Sequence, residues 1–108
     1  MKLRTIQTIY DTLNHTIFNG RLVRPTILKS RNTRLAGHYN YGGLSPAYMA
    51  FTDDTGSRAM RGTVYHEMIH QYLDEYLGIE DNGDHGDQFW LAYYTFANFT
   101  FDWEVPYA

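Results

Sequence analysis

The sequence contains no cysteine. A disulfide framework and a thiolate zinc ribbon are therefore both excluded, and any metal ion must be bound by histidine and carboxylate side chains. Long apolar runs are missing as well, because none approaches the roughly 18 residues that a membrane-spanning helix needs. The N-terminal Met-Lys-Leu-Arg-Thr also lacks the continuous apolar core of a signal peptide. These absences predict a cytoplasmic protein with no membrane partner.

Basic residues are scarce after the first third of the chain. Residues 1–36 carry seven Lys and Arg side chains against Asp11 alone, whereas the remainder holds Arg58 and Arg61 against eleven acids. Such an asymmetry is typical of a nucleic-acid-binding face, and it is equally typical of an ordinary solvated surface. The sequence therefore leaves DNA open as a partner through the basic N-terminal third.

The length of 108 residues, with 44% hydrophobic side chains, indicates a single globular domain over residues 1–108. Its first element is a predicted amphipathic helix whose apolar residues recur at intervals of three and four: Leu3, Ile6, Tyr10, Leu13 and Ile17. Gly20 stands where the C-terminal cap of this helix belongs.

Three short runs after this helix are predicted strands. Residues 25–31 and 35–41 alternate in part between apolar and polar side chains, which predicts a hairpin or a meander. Residues 48–52 form the third predicted strand. Pro46 precedes it and cannot donate a hydrogen bond to a ladder, so we expect this strand at an edge of the sheet.

Two further helices complete the predicted fold. Residues 59–77 are apolar nearly all round, which predicts a buried helix that ends at Gly78. Aromatic residues at helical spacing predict a last helix over residues 86–99, and we expect the apolar tail after it to lie across the domain. The fold class is therefore α+β, with an N-terminal helix, a three-stranded sheet, a central helix and a C-terminal helix.

The central helix carries an H-E-x-x-H motif, formed by His66, Glu67 and His70. Residues four apart lie one turn above each other on one helix face, so the two imidazoles can bind one Zn²⁺. Glu67 lies about a quarter-turn away, where it can act as general base towards a zinc-bound water. A metal with its water would satisfy all three buried polar groups at once, whereas a structural role needs separate hydrogen bonds for each.

A catalytic zinc site needs a third protein ligand. His85 is the main candidate, because a short turn-rich linker precedes it and a helical pattern follows it. Two known zinc-protease patterns are excluded: Leu73 and Tyr76 stand where a metzincin has Gly and His, and the last helix has no Glu for a gluzincin. Weaker alternative ligands are His15, His38, Asp74, Asp81 and Asp84.

The motif is followed fifteen residues after His70 by His85 and Gly86, and then by Phe89, which together form an H-G-x-x-F element. This pair of motifs resembles the SprT-like (Spartan-type) family. Residues 17–22 resemble the family's helix end before its first strand, and residues 34–37 resemble its A-G strand. The resemblance runs over nearly the whole chain.

This resemblance implies a small zincin-like domain and a zinc-dependent endopeptidase. Its zinc ligands would be His66, His70 and His85, with Glu67 as the catalytic general base. The substrate would be a protein or peptide, and the family's substrates include proteins crosslinked to DNA. In this family an extended substrate pairs with an edge strand beside the active-site helix. The chain departs from many members in having no Cys-rich zinc ribbon.

Two other hypotheses stay open. The first is a nucleic-acid-associated binding module whose zinc is structural or whose peptidase activity is vestigial, and it is motivated by the basic N-terminal third. The second is a structural protein without any metal.

Overall fold

The computed structural model describes residues 2–31, 36–42, 46–52, 57–79 and 85–97, with only the backbone at residues 57 and 58. This part of the chain confirms the predicted α+β class, because helices and a three-stranded sheet form one small zincin-like domain. The elements in chain order are α1 (Leu3–Ile17), β1 (Thr26–Ser30), β2 (Gly37–Asn40), β3 (Tyr48–Thr52), α2 (Ser57–Tyr72), a π-helical turn (Leu73–Leu77) and α3 (Asp87–Ala97).

Helix α1 forms in spite of its composition. Seven of its 15 residues are β-branched Thr or Ile, and each costs up to about 0.7 kcal/mol relative to Ala in a helix. Burial of an Ile or Leu side chain contributes about 1.5–3 kcal/mol, so the apolar face decides the conformation. The predicted stripe is confirmed at four positions, since the buried residues are Ile6, Tyr10, Leu13 and Ile17.

A left-handed turn ends α1 where the sequence predicts a cap. Asn19 and Gly20 have φ angles of 58° and 74°. The Gly20 N–H donates to the Asn14 carbonyl at 2.8 Å, and the same carbonyl accepts the Phe18 N–H at 3.1 Å, so the turn is tied back onto the last turn of the helix. The Asn14 side chain then fixes the chain that leaves the helix, because its amide donates to the Leu22 carbonyl at 2.7 Å.

The sheet corrects two predictions. Its order is β1-β3-β2, with β3 parallel to β1 and antiparallel to β2, so the expected hairpin or meander of the first two strands is wrong. Strand β3 lies in the centre and not at an edge. Pro46 does not oppose this position, because it lies two residues before β3 and removes no hydrogen bond from the ladder.

Helix α2 packs closely against β2 at Gly37. A Cβ atom at this position would lie 2.9 Å from Thr63 Cγ2 of α2 and 2.7 Å from Phe51 Cδ1 of β3. Both separations are shorter than ordinary van der Waals contact, so only glycine fits here with the helix at this distance from the sheet. The close approach places the end of β2 beside the motif of α2.

The interior of α2 is buried, as its sequence predicts. Its core side chains are Met60, Val64, Tyr65, Met68 and Ile69. The π-helical turn extends α2 to Leu77, and Gly78 ends it with a φ angle of 65°. The Ile79 N–H then donates to the Leu73 carbonyl at 3.0 Å. The predicted helix over residues 59–77 and its cap are thus confirmed.

Helix α3 packs on α2 mainly through aromatic rings. Tyr65 and Tyr93 have ring centroids 4.9 Å apart, and Tyr72 and Phe96 have theirs at the same separation. The Tyr65 hydroxyl also donates to the Tyr93 carbonyl. The predicted last helix is confirmed up to Ala97; the rest of it, and the tail that follows, lie outside the described residues.

A buried amide joins three parts of the core. Gln71 accepts a hydrogen bond from the Tyr10 hydroxyl at 2.6 Å, and its own amide donates to the Val23 carbonyl at 2.8 Å. These contacts hold α1, the segment before β1 and α2 together. Across the described ranges, no helix has both the length and the apolar character that a bilayer-spanning segment requires.

Candidate metal centre

Helix α2 positions the two histidines of the H-E-x-x-H motif. His66 and His70 are four residues apart, and their ring centroids lie 5.2 Å from each other. His70 is buried, whereas His66 is half-buried. One helix turn therefore presents two imidazoles side by side, as the spacing predicts.

His85 comes from outside α2, two residues before α3 begins. The Trp90 N–H donates to the Gly86 carbonyl at 3.3 Å, which anchors the first turn of α3 directly after this histidine. Its ring lies 4.7 Å from the His66 ring and 5.0 Å from the His70 ring, measured between centroids. The fold thus brings all three sequence-predicted ligands together.

The imidazoles converge through their Nε2 atoms. The His85 Nε2 atom lies 3.0 Å from that of His66 and 3.1 Å from that of His70. Two nitrogens bound to one tetrahedral zinc at about 2.0–2.1 Å lie about 3.3 Å apart. The donor set of three nitrogens therefore has close to the spacing that one small ion requires.

Hydrogen bonding among the rings does not account for this convergence. A neutral imidazole carries one N–H, and an Nε2 proton on His85 can point at only one of the two nitrogens that face it, on His66 or on His70. A cation among the three Nε2 atoms would contact all of them at once, so these residues fit a metal ion and are positioned to hold one.

An aromatic side chain forms one wall of the centre. Phe89 is 1% exposed, and its ring centroid lies within 4.8 Å of those of all three histidine rings. The sequence predicts this position only as core. Phe89 follows His85 by four residues within the H-G-x-x-F element. This spacing is the signal for a residue that packs on the site.

A tyrosine that directly follows β2 contacts His70. The Tyr41 hydroxyl lies 3.4 Å from His70 Nδ1, the ring nitrogen that faces away from the other imidazoles. The sequence pattern places Tyr41 only at the end of a predicted strand. Tyr41 lies two residues after Tyr39, and alternate residues of a strand point to the same side of the sheet. This alternation is the signal that could have identified Tyr41.

Tyr39 holds the strand end beside the helix. Its hydroxyl donates to Asp74 Oδ2 at 2.8 Å, and Asp74 lies one turn beyond His70. Burial, and then the hydrogen bond to this carboxylate, raise the pKa of the Tyr39 phenol far above its usual range. The group therefore remains a donor at any physiological pH.

Glu67 follows His66 on α2 and is 5% exposed. The Glu67 side chain is therefore buried, and in the sequence it stands next to His66. On a helix it also lies three residues before His70, which is a spacing at which side chains share a face.

The weaker ligand candidates that the structure describes lie outside the histidine cluster. His15 is exposed on α1. His38 packs edge-on against Tyr48, with ring centroids 5.8 Å apart, and Asp74 binds Tyr39. Asp81 and Asp84 lie outside the described residues. Within the ranges that the structure covers, the group of metal-binding side chains contains His66, His70 and His85 alone.

Comparisons with known proteins agree with this geometry. A search of curated proteins found no match. The family model described as SprT-like family matches residues 6–105, nearly the whole chain. This family supports a metallopeptidase-type domain in general terms. The match includes both motifs that meet at the histidine cluster, and the chain belongs to the SprT-like family.

Proposed function

We propose that the protein is a zinc-dependent endopeptidase. The observation that carries the proposal is the convergence of three imidazole nitrogens, with His85 Nε2 at 3.0 and 3.1 Å from its two neighbours. Three histidines and an open fourth position are the donor set of a catalytic zinc site, whereas structural zinc sites are closed by four protein ligands. His66 and His85 are only half-buried, which is compatible with access for a substrate.

The histidines would bind zinc through Nε2, so each would carry its proton on Nδ1. Zinc held there would act as a Lewis acid that polarises the scissile carbonyl and lowers the pKa of a water molecule to about 7. Glu67 would accept a proton as the water oxygen bonds to the carbonyl carbon. It would then deliver this proton to the amine nitrogen as the carbon–nitrogen bond breaks.

The substrate would be an extended segment of protein or peptide. Strand β2 supports this choice, because it is the strand at the edge of the sheet that packs against α2, and in the described part of the chain it pairs only with β3. Backbone groups on its other side could pair with a peptide and supply affinity without sequence preference. The edge for this purpose is thus β2 and not the predicted strand over residues 48–52.

Metal content and proteolysis together test the proposal. Purified protein should contain one zinc per chain and should cleave an unfolded protein substrate. Glu67→Gln should retain the zinc and lose cleavage, because an amide cannot accept the proton. A zinc-loaded wild type that cleaves no unfolded, DNA-bound or self substrate would refute the endopeptidase.

DNA is a second candidate partner. The basic side chains that the structure describes in the N-terminal third are all exposed: Lys2, Arg4, Arg21, Arg24, Lys29 and Arg31. One of them, Arg24, forms an ion pair with Asp11 at 2.7 Å. Binding to single- and double-stranded DNA at two salt concentrations tests this proposal, since phosphate contacts weaken as salt rises. Lack of binding at low salt would eliminate it.

A further inference from the structure

The contact between Tyr41 and His70 suggests a function for a tyrosine that neither motif includes. Tyr41 directly follows β2, and its hydroxyl lies 3.4 Å from His70 Nδ1. The opposite ring nitrogen, Nε2, faces His85 Nε2 at 3.1 Å. One imidazole is therefore contacted at both nitrogens, by the metal-binding cluster on one side and by a phenol on the other.

We propose that Tyr41 is a positioning residue for the metal centre, which fixes the orientation and the tautomer of His70. The proposal rests on the metal site of the proposed function. A nitrogen that binds a metal ion carries no proton, so a neutral His70 must hold its proton on Nδ1. The Nδ1–H then donates to the Tyr41 oxygen, and this hydrogen bond keeps Nε2 directed at the other two imidazoles.

Tyr41 is itself held in place by the strand. Its ring packs edge-on against Tyr39, with centroids 5.1 Å apart, and Tyr39 donates to Asp74 at 2.8 Å. Tyr39 thus contacts Asp74, and Tyr41 contacts His70. Because Asp74 and His70 are four residues apart, the two contacts lie one helix turn apart. The strand is thereby held to the helix beside the metal ligand, and Tyr41 need not order itself when the ion binds.

The hydroxyl group can be tested separately from the ring. Tyr41→Phe keeps the ring that packs against Tyr39 and removes the hydroxyl that lies beside His70 Nδ1. Tyr48→Phe is a matched control, since it removes a hydroxyl from another half-buried tyrosine whose ring contacts His38 and not the metal cluster. Loss of an outer-shell partner of a metal-binding histidine typically lowers metal affinity by roughly 10–100-fold.

Zinc affinity is measured by competition with a chelator. We expect Tyr41→Phe to bind zinc roughly 10–100-fold more weakly than the wild type at unchanged stoichiometry, and Tyr48→Phe to bind like the wild type. The second readout is nuclear magnetic resonance of the histidine rings in the zinc-loaded protein. The Nδ1–H of His70 should exchange slowly with water in the wild type and rapidly in Tyr41→Phe, an effect that a merely structural tyrosine would not produce.

The outcomes separate this inference from the proposed function. A wild type that binds no zinc would overturn both. A wild type that binds zinc, with Tyr41→Phe equal to it in affinity and in Nδ1–H exchange, would overturn the positioning role alone. An equal loss of affinity in Tyr48→Phe would also overturn it, because the effect would then not depend on contact with His70.

Discussion

The Nε2 atom of His85 lies 3.0 Å from the Nε2 atom of His66, although 19 positions separate the two residues and only His66 lies within a helix. Packing of α3 on α2 produces this contact. The Phe89 ring, four residues after His85, lies 4.8 Å from the His66 ring between centroids and fills the space beneath the imidazoles. The metal centre is therefore a property of the α2–α3 interface, and mutations at the interface should affect it.

Replacement of His85 by alanine should strongly weaken metal binding. Two imidazoles would remain on α2, but the third ligand of a catalytic zinc site would be lost. We expect Tyr41, Phe89 and the rest of the domain to remain folded, and zinc to be removed by a chelator concentration that leaves the wild type loaded. His15→Ala is the control, because His15 is exposed on α1. Equal zinc retention in both variants would contradict the assignment.

Replacement of Gly37 by alanine should destabilise the fold. The added Cβ would lie 2.7 Å from Phe51 Cδ1 and 2.9 Å from Thr63 Cγ2, and overpacking of this kind costs typically about 1–3 kcal/mol. Urea unfolding measures the effect. Thr63→Ser removes one of the two clashing atoms, so Gly37→Ala should cost less in that background. A Gly37→Ala variant as stable as the wild type would show that the helix and sheet are not closely packed here.

The buried amide of Gln71 should contribute more to stability than the hydroxyl that it binds. Gln71→Leu leaves the buried Tyr10 hydroxyl without this partner and also removes the contacts with the Val23 carbonyl and the Glu75 carboxylate. An unsatisfied buried hydroxyl costs about 1–3 kcal/mol. Tyr10→Phe removes one partner and leaves the contact with Val23. We expect the double variant to lose less free energy of unfolding than the sum of the single variants. Strict additivity would show that the two side chains do not interact.

Stability should fall in alkaline solution because of three buried tyrosines. Burial raises the pKa of Tyr10, Tyr39 and Tyr65 above the usual range, whereas in the unfolded chain a phenol ionises near pH 10. Above about pH 10 the unfolded state therefore binds fewer protons than the folded state, and the free energy of unfolding decreases as pH rises. Below that pH these groups add no pH dependence.

Urea unfolding at a series of alkaline pH values measures this slope. Tyr10→Phe lowers stability at every pH but removes one of the three ionising groups, so its stability should decrease less steeply than that of the wild type. Identical slopes in the wild type and the variant would contradict the burial of an un-ionised phenol at this position.

The helices and the candidate metal centre were predictable from the sequence because they depend mainly on the spacing of residues that are close together in the chain. The stripe of α1 and the spacing of His66 and His70 follow directly from 3.6 residues per turn. His85 required one further inference, that a short linker folds the last helix back onto α2. That the metal ion is zinc, and that Glu67 acts as general base, stay predictions.

The order of the strands was not predictable in this way, because it depends on contacts between segments that are distant in sequence. One local signal was nevertheless present. Met49, Ala50 and Phe51 are consecutive and all buried, on both faces of β3. A continuous apolar run is typical of a central strand, whereas an edge strand of a one-sided sheet alternates. Pro46 precedes the strand, so it indicates less about the position of β3 in the sheet than this run does.

X-ray absorption spectroscopy at the zinc edge tests the central claim most directly, because it counts the ligands and measures their distances. The arrangement of His66, His70 and His85 predicts three imidazole nitrogens at about 2.0–2.1 Å together with one oxygen, and two imidazoles in His85→Ala. A wild-type spectrum with only two imidazoles, or one that His85→Ala leaves unchanged, would contradict a centre built from α2 and the residue before α3.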